Sequence, residues 1–425
     1  MKKRFIIIAL SLLSLNAHAQ KYNYDVNNDG QVTVSDIMLI VNKILGKEND
    51  EPKYPITVSV TQKPFVDNDA NASGMMRSPV TTTESLAGTE DNPGFFYVDY
   101  SYFSRWDDGG TGYYEIGEPE YYTHWVESSG HWVVGTVDNP GEGHWPSNVD
   151  LNTDVIPFYA YANYESGHFG FEGFQEESKS ETVVSKPYLH FVVEENSGAQ
   201  KDLLVAITED TYYHSNGTPA GFLSFTFDHA CAAVQFFLSK TQALANSTIT
   251  VKGVKLHNVY NDGYYYFNGN GGDGNQEWAG LGYKNGTTSS TYTLADNSTE
   301  ILVKQNYAVN QLSTEQDKEN KYFFMIPQIT TPWYVKGTTE PIPSIANATG
   351  AYIELENCDI IYSVDNDGQI TQKHYSGSAY IPFGVTWEKG IKHKVNIQIG
   401  TGLRDSDGNR IFDTNGVLIK TTTAQ

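Results

Sequence analysis

The pattern of apolar and polar positions divides the chain into one short helical stretch and a long region of strands. Between Ile37 and Gly46, apolar residues recur at the spacing of a helix, and the glycine is a natural stop. From Tyr54 onward no long helical period occurs, and short alternating runs are separated by turns rich in Gly, Asn, Asp and Ser. This alternation predicts a mostly β protein.

Two runs show the alternation most clearly, residues 223–227 and 395–399, where Leu, Phe, Val or Ile alternates with a polar residue. Each predicts a strand with one buried face and one face in water. Further strands are predicted at 54–60, 95–103, 188–193, 203–207, 234–238, 249–256, 322–326 and 352–355, and loops at 268–275 and 287–290. Their spacing fits two packed sandwiches divided near residues 241–246.

The beginning of the chain has the pattern of an export signal. Basic residues precede an apolar stretch from Phe5 to Leu13, and small residues stand before an expected cut after Ala19. A membrane span needs ~20 apolar residues, and this stretch has roughly half that number. We therefore expect cleavage, no membrane span in the mature chain, and an exported protein of the periplasm, the cell surface or fimbrium, or the extracellular space.

Composition narrows the classes of partner. The 28 basic and 51 acidic residues give a formal net charge of −23. Nucleic acid and anionic lipid surfaces are therefore not expected partners. Cys231 and Cys358 allow at most one disulfide, and each is equally compatible with a buried apolar role.

The most specific motif is the twelve-residue stretch 25–36, which matches a calcium loop. Calcium takes oxygen ligands at alternate positions of a tightly curled backbone, and Gly30 stands where the curl is sharpest. The closing residue is Asp, where the general calcium-loop pattern has Glu. The predicted metal ligands are Asp25, Asn27, Asp29, Gln31, Thr33 and Asp36.

Loop and helix together, residues 25–46, resemble one type I dockerin repeat. The resemblance implies calcium as cofactor and a cohesin-like or other surface protein module as partner. Dockerins generally carry two repeats, but the Asp-Gly stretches at 365–368 and 405–408 lack the outer ligands. We interpret the first of these as a turn between strands. A single repeat is too small for a core of its own, so calcium, a partner or a second molecule must complete it.

Four motifs taken in order resemble the fimbrillin-like proteins of Bacteroidetes. In that family a strand ending in Phe-x-His-Ala leads into an apolar strand, Pro-Gln closes a later one, and a Trp-x-x-Gly turn precedes the last. The matching stretches are 200–206, 223–234, 322–328 and 387–390. The resemblance covers residues 54–403 and implies a pair of transthyretin-like β-sandwich domains in a fimbrial subunit, accessory tip protein or surface adhesin.

The resemblance also raises the question of assembly. Polymerising fimbrillins are generally exported as lipoproteins and trimmed before strands are exchanged. This chain has no cysteine near the expected cut, so we do not expect it to follow that route. Self-assembly by strand addition to an exposed edge remains physically available. Arg77 is a candidate trimming point.

Together these features predict the following domain organisation. The parts are a signal peptide at 1–19, a dockerin-like calcium-binding repeat at 20–50, β-sandwich domains at 51–240 and 241–404, and a C-terminal tail at 405–425.

Aromatic residues make up 13% of the chain, and many cluster between residues 95 and 174. Exposed rings would stack on sugars, but we favour packing in the core for most of them. Three His-Trp pairs have a spacing that matches no common short zinc motif. These pairs are His124 with Trp125, His131 with Trp132, and His144 with Trp145.

His229 beside Asp228 suggests catalysis, but it lies in an alternating strand without a nucleophile elbow, and we interpret it as a strand-end histidine. Paired carboxylates for glycoside hydrolysis are recognised only by their separation in space. We therefore predict an exported non-catalytic fimbrillin-like surface or fimbrial protein, docked through its calcium-binding repeat. The alternatives are a carbohydrate-binding component associated with polysaccharide degradation, and a glycoside hydrolase.

Overall fold

The computed structural model describes a chain built almost entirely of β-strands. The described residues are 56, 58–67, 86, 95–105, 112–116, 121–126, 128, 131–135, 143, 156–165, 167–172, 186–208, 223–267, 277–298, 300–305, 311–312, 322–335, 342–367 and 369–422. Within these ranges, helical structure is limited to short 3-10 turns such as Gln242–Leu244. The predicted mostly β class is confirmed, while the dockerin-like repeat at 20–50 lies outside the described residues.

The strands are numbered here in chain order. The first twelve are β1 (Val58–Gln62), β2 (Val66–Asp67), β3 (Phe95–Arg105), β4 (Gly112–Ile116), β5 (Tyr121–Val126), β6 (His131–Gly135), β7 (Phe158–Ala162), β8 (Phe169–Glu172), β9 (Lys186–Val192), β10 (Leu204–Ile207), β11 (Leu223–His229) and β12 (Ala232–Lys240). The others are β13 (Ser247–Val251), β14 (Gly253–His257), β15 (Asp262–Tyr266), β16 (Trp278–Gly282), β17 (Thr291–Ala295), β18 (Ile301–Leu302), β19 (Gln311–Leu312), β20 (Phe323–Met325), β21 (Tyr352–Asn366), β22 (Gln369–Pro382) and β23 (Ile391–Ile399).

The first sheet curls until its two ends meet. Its order is β1-β11-β10-β7-β3-β5-β6, with β4 beside β3. Gly143 donates its N–H to the Val134 carbonyl of β6, and its own carbonyl accepts from Ile56 just before β1, both at 3.0 Å. A Cβ on Gly143 would lie 2.5 Å from Cγ1 of Val134, so this closure depends on glycine. The result is a barrel-like sheet with one enclosed face.

The enclosed face holds the first hydrophobic core. Phe225 and Phe227 are at most 1% exposed, whereas Ser224 and Thr226 face solvent and Asp228 is only partly covered, as the alternation predicts. Phe96 meets both rings edge-on, with centroids 5.8 and 5.2 Å away. Edge-to-face contacts of this kind are the favoured arrangement of aromatic rings in a core.

The remaining strands form three further sheets. One has the order β19-β12-β23-β2 with β20 also on β12, and one has the order β16-β15-β9-β8. The third has the order β17-β14-β21-β13-β18 with β22 on β21. A second hydrophobic core connects these sheets. Strands from both sides of residues 241–246 pair with each other, β9 with β15 and β12 with β23, and the predicted domain boundary there stays a prediction.

One predicted strand is divided in the structure. The run 249–256 forms β13 and β14, with a break at Lys252. The two strands pair with different halves of β21, whose register shifts between Leu355 and Cys358. The break therefore matches the bulge in the neighbouring strand. The predicted turn between strands is confirmed, since the chain reverses direction between Asn366 at the end of β21 and Gln369 at the start of β22, with Asp367 at a φ of 53°.

Residues beyond β23 pack tightly on the second core. Leu403, Ile411, Phe412 and Leu418 are at most 1% exposed. The Asp405 carboxylate accepts the backbone N–H groups of residues 407 and 409 at 2.9 Å, which closes a tight turn.

Candidate functional site

A single extended segment near the start of the described chain contacts both large cores. It consists of Ile56 and residues 58–67 and is called the N-terminal segment below. Ile56 and Val58 belong to the first core, and Phe65 belongs to the second. Strand β1 pairs in parallel with β11 at the edge of the first sheet, and β2 pairs in parallel with β23 at the edge of another. One segment therefore closes the edges of two sheets.

The β1 half of the segment is held by backbone pairing and surface side chains. The hydroxyls of Thr61 and Thr226 lie 3.0 Å apart on the exposed face. The Lys63 ammonium lies 2.9 Å from a carboxylate oxygen of Asp228, and both side chains are more than a third exposed. Because water and salt screen such a pair, it adds little to stability.

The β2 half is held by one aromatic ring. The Phe65 ring lies on the His229 imidazole, with centroids 3.6 Å apart and planes inclined by 18°. A second ring, Phe324, lies 6.2 Å from Phe65 and is also nearly parallel to it. Phe65 is only 5% exposed, so the ring is buried although it stands between two edge strands.

A buried carboxylate fixes the imidazole under Phe65. Nδ1 of His229 lies 2.7 Å from Oδ2 of Asp202, and these side chains are 4% and 1% exposed. Burial raises the pKa of Asp202, while its hydrogen bond with His229 acts in the opposite direction. If the imidazole rotated away from Phe65, a buried polar group would lose its hydrogen bond, and this loss would lower the stability of the fold.

The motifs that resemble the fimbrillins meet around this ring. Ala230 donates its N–H to the Leu203 carbonyl at 2.9 Å, which ties the end of β11 to the start of β10. Gly390, with a φ of 68°, donates to the Cys231 carbonyl at 3.0 Å and accepts from the N–H of Val66 at 2.9 Å. The Trp-x-x-Gly turn therefore binds the β2 half of the N-terminal segment directly.

The Pro-Gln motif joins the same network through one side chain. The Gln328 amide oxygen accepts from the backbone N–H of Tyr260 at 2.9 Å, and its amide nitrogen donates to the Tyr260 carbonyl at 2.8 Å. Gln328 thus imitates a neighbouring strand. Its own carbonyl accepts from the N–H of Trp387 at 2.9 Å, which positions the Trp-x-x-Gly turn.

The predicted calcium loop, with its ligands at residues 25–36, lies outside the described residues. The part of the chain that the structure describes contains no group of three or more His, Cys, Asp or Glu side chains placed to hold a metal ion.

The structure brings two of the tryptophans together. Trp125 and Trp132 are opposite each other on β5 and β6, with ring centroids 5.5 Å apart. Trp132 packs edge-on against Phe96 of the first core at 5.0 Å, which supports our preference for core packing over sugar stacking. The third pair, at 144 and 145, lies outside the described residues.

The candidate catalytic histidine has a structural position. His229 ends β11, as predicted, and its partner is Asp202, since its neighbour Asp228 pairs with Lys63. Cys231 and Cys358 are both buried and free, which agrees with the apolar alternative for each. Burial raises the pKa of Cys358 to about 12, so the thiol stays protonated at neutral pH.

Phe65 and Asp202 received no role from the sequence. The signal for Phe65 was the apolar alternation around Val58, followed by Pro64. Alternation of apolar and polar residues indicates which side chains face a core. It does not reveal that a single segment contacts two different cores. His229, the hydrogen-bond partner of Asp202, lies 27 positions further along the chain, and a local sequence pattern does not reveal a pair so far apart.

Comparisons with known proteins point to a single family. The sequence profile of a family described as Fimbrillin-like matches residues 151–420. No curated protein matches the chain. Among the residues described, no helix has the length and apolar character needed to cross a membrane.

Three solved structures from Bacteroides species are similar to this one. A fimbrial protein from Bacteroides vulgatus is 19% identical, with 82% of this chain and 95% of that chain covered and a TM-score of 0.42. A cell adhesion protein, by its description, from Bacteroides eggerthii is 10% identical, with 83% and 88% covered and a TM-score of 0.34. Another of the same description, from Bacteroides ovatus, is 11% identical, with 82% and 93% covered and a TM-score of 0.31.

Proposed function

Because the chain belongs to the fimbrillin-like family, we propose that it is an exported, non-catalytic fimbrial or adhesion protein of the cell surface. In this proposal its β region comprises two transthyretin-like sandwich domains. Copies assemble by strand addition, with the N-terminal segment of one copy replaced by an equivalent strand from its neighbour. The observation that carries the proposal is that this segment closes the edges of two sheets at once.

The physical case rests on what the segment leaves behind when it departs. The edges of β11 and β23 would lose their backbone partners, and both cores would lose apolar side chains. Unpaired edges and exposed apolar surface favour addition of another strand. An identical segment from a second copy restores every contact, so the exchange costs little at equilibrium.

A reversible disulfide between the N-terminal segment and β11 tests this assembly. Ser59 and Ser224 are direct partners in the β1–β11 ladder, with hydroxyl oxygens 2.9 Å apart, so cysteines at both positions can form a disulfide. We expect surface material sheared from cells to give a high-mass ladder with the wild type and with the reduced Ser59→Cys/Ser224→Cys variant. The oxidised variant should remain monomeric because its segment cannot leave.

The matched control is the single variant Ser59→Cys, which cannot form this disulfide. A wild type that is monomeric, or absent from the sheared surface fraction, contradicts the proposal. An oxidised variant that forms the same ladder contradicts the strand-addition step alone.

We further propose that the calcium loop attaches the protein to a cohesin-like or other surface module. The support is the sequence of residues 25–36, with oxygen-bearing side chains at alternate positions around Gly30. Calorimetry on the full chain should show uptake of calcium, which is lost in the double variant Asp25→Ala/Asp29→Ala. Asp365→Ala, near the end of β21, is the control and should bind as the wild type does. Absence of binding heat in the wild type would remove the docking proposal.

A further inference from the structure

The N-terminal segment enters the second core through one side chain, and this contact bears on which strand fills the edges. Resting on the proposed strand addition, we propose that His229, held by Asp202, is a receptor for an aromatic ring. The ligand is an extended peptide with apolar residues at alternate positions, followed by an aromatic anchor. In this chain the anchor Phe65 follows the apolar residue Val60 by five positions.

The receptor presents a flat surface whose orientation is fixed. The imidazole of His229 is nearly parallel to the Phe65 ring at 3.6 Å, and its Nδ1 is tied to Asp202 at 2.7 Å. The flat faces of the two rings lie against each other, and aromatic rings stacked in this way attract each other beyond what burial of their area provides. An aliphatic side chain of similar size lacks this attraction and matches the flat surface less well.

Backbone hydrogen bonds on both sides of the anchor fix its place along the strand. Lys63 donates its N–H to the Phe227 carbonyl of β11, and Val66 donates to the Gly390 carbonyl before β23, both at 2.9 Å. Between them the chain passes from one sheet to the other at Pro64, which has no N–H that would need a partner. A strand shifted by one residue would put the aromatic ring on the opposite face.

Peptide exchange into the full chain tests the receptor. A site for a specific protease is introduced at Arg77, and the chain is cut so that the N-terminal segment is retained only by noncovalent contacts. A fluorescent peptide of residues 54–67 is then added, and its incorporation is followed by anisotropy. The native peptide should incorporate. The Phe65→Ala peptide should bind about a hundredfold more weakly, and the Phe65→Leu peptide about tenfold more weakly.

The matched control is a Val66→Ala peptide, because alanine keeps the backbone N–H that donates to Gly390 and the side chain it shortens is 47% exposed. It should bind as the native peptide does. A receptor variant, His229→Asn, keeps a donor for Asp202 but has no ring, so the difference between the native and Phe65→Ala peptides should become smaller. If that variant fails to fold, the peptide series on the native receptor still decides.

The outcomes separate the two proposals. Failure of the native peptide to incorporate overturns strand addition and the receptor with it. Equal incorporation of the native and Phe65→Ala peptides overturns the aromatic receptor and leaves strand addition intact. An undiminished difference on His229→Asn shows that the selectivity does not come from the imidazole, which also overturns the proposal.

Discussion

Strand β1 on β11 and the Phe65–β2 stretch on β23 are consecutive parts of one segment, yet different interactions hold them. The β1 half has a five-residue ladder and exposed hydroxyl pairs, and Val58, the most buried residue of strand β1 itself, is 8% exposed. The β2 half has a two-residue ladder and one buried ring on a buried His-Asp pair. The length of the backbone ladder contributes most to binding of the β1 half, and a single side chain contributes most to binding of the β2 half.

Under the proposed strand addition, this difference would allow the replacing strand to be general in one half and selective in the other. A ladder of backbone hydrogen bonds accepts many sequences, since every residue except proline offers the same groups. A buried ring on a fixed imidazole accepts few. With the ladder and the ring on one continuous strand, the ladder supplies much of the contact and the ring sets the register.

The largest expected effect in the intact chain comes from Phe65→Ala. Removing a buried Phe side chain costs about 3 to 5 kcal/mol in well-packed cores, and we expect the lower end at this sheet edge. Urea denaturation of the full-length protein should show this loss in the free energy of unfolding. Val66→Ala, next to it and exposed, should change that free energy by no more than about 0.5 kcal/mol. Equal losses for the two variants would contradict the assignment of the β2 half to one ring.

Sequence patterns predicted many of the strands in this fold, but they did not predict the contact between Phe65 and His229. Alternation at 223–227 placed the strand β11 and its buried face correctly, because the period of a half-buried strand is local. The Asp-Gly turn between β21 and β22 was equally local. The pairing of Ser59 with Ser224 spans 165 positions, and no local pattern encodes such a partner. His229 was placed at a strand end, but its burial against Phe65 depends on that distant pairing.

A pH-dependent effect of intermediate size should distinguish the two halves. His393 of β23 accepts the N–H of Glu388 on its Nε2 at 3.0 Å, which braces the turn whose Gly390 carbonyl binds β2. Burial lowers the pKa of His393 below its ordinary value of 6.5. The unfolded chain therefore takes up a proton near pH 6.5 before the folded chain does, and stability falls as the pH drops below that value. One such proton changes the free energy of unfolding by at most about 1.4 kcal/mol per pH unit.

The measurement is the difference in unfolding free energy between wild type and His393→Gln from pH 7.5 to 5. Glutamine can accept the same N–H but does not titrate, so the wild type should lose stability relative to the variant below pH 6.5. The comparison with the variant is needed because Asp202, whose pKa is raised by burial, changes the pH dependence of stability in the opposite direction in both proteins. Parallel curves for the two proteins would show that His393 does not titrate during unfolding.

The smallest expected effect belongs to the hydroxyl pairs of the β1 half. Thr61→Val keeps the shape and β-branching of the side chain while removing the hydroxyl that meets Thr226 at 3.0 Å. Exposed cross-strand pairs of this kind contribute roughly 0.2 to 1 kcal/mol, and water replaces the lost partner, so we expect about 0.3 kcal/mol. The same urea experiment measures it, with the double variant Thr61→Val/Thr226→Val completing the cycle. If the loss approached that of Phe65→Ala, the exposed ladder and not the ring would hold the segment, and the contrast between its halves would disappear.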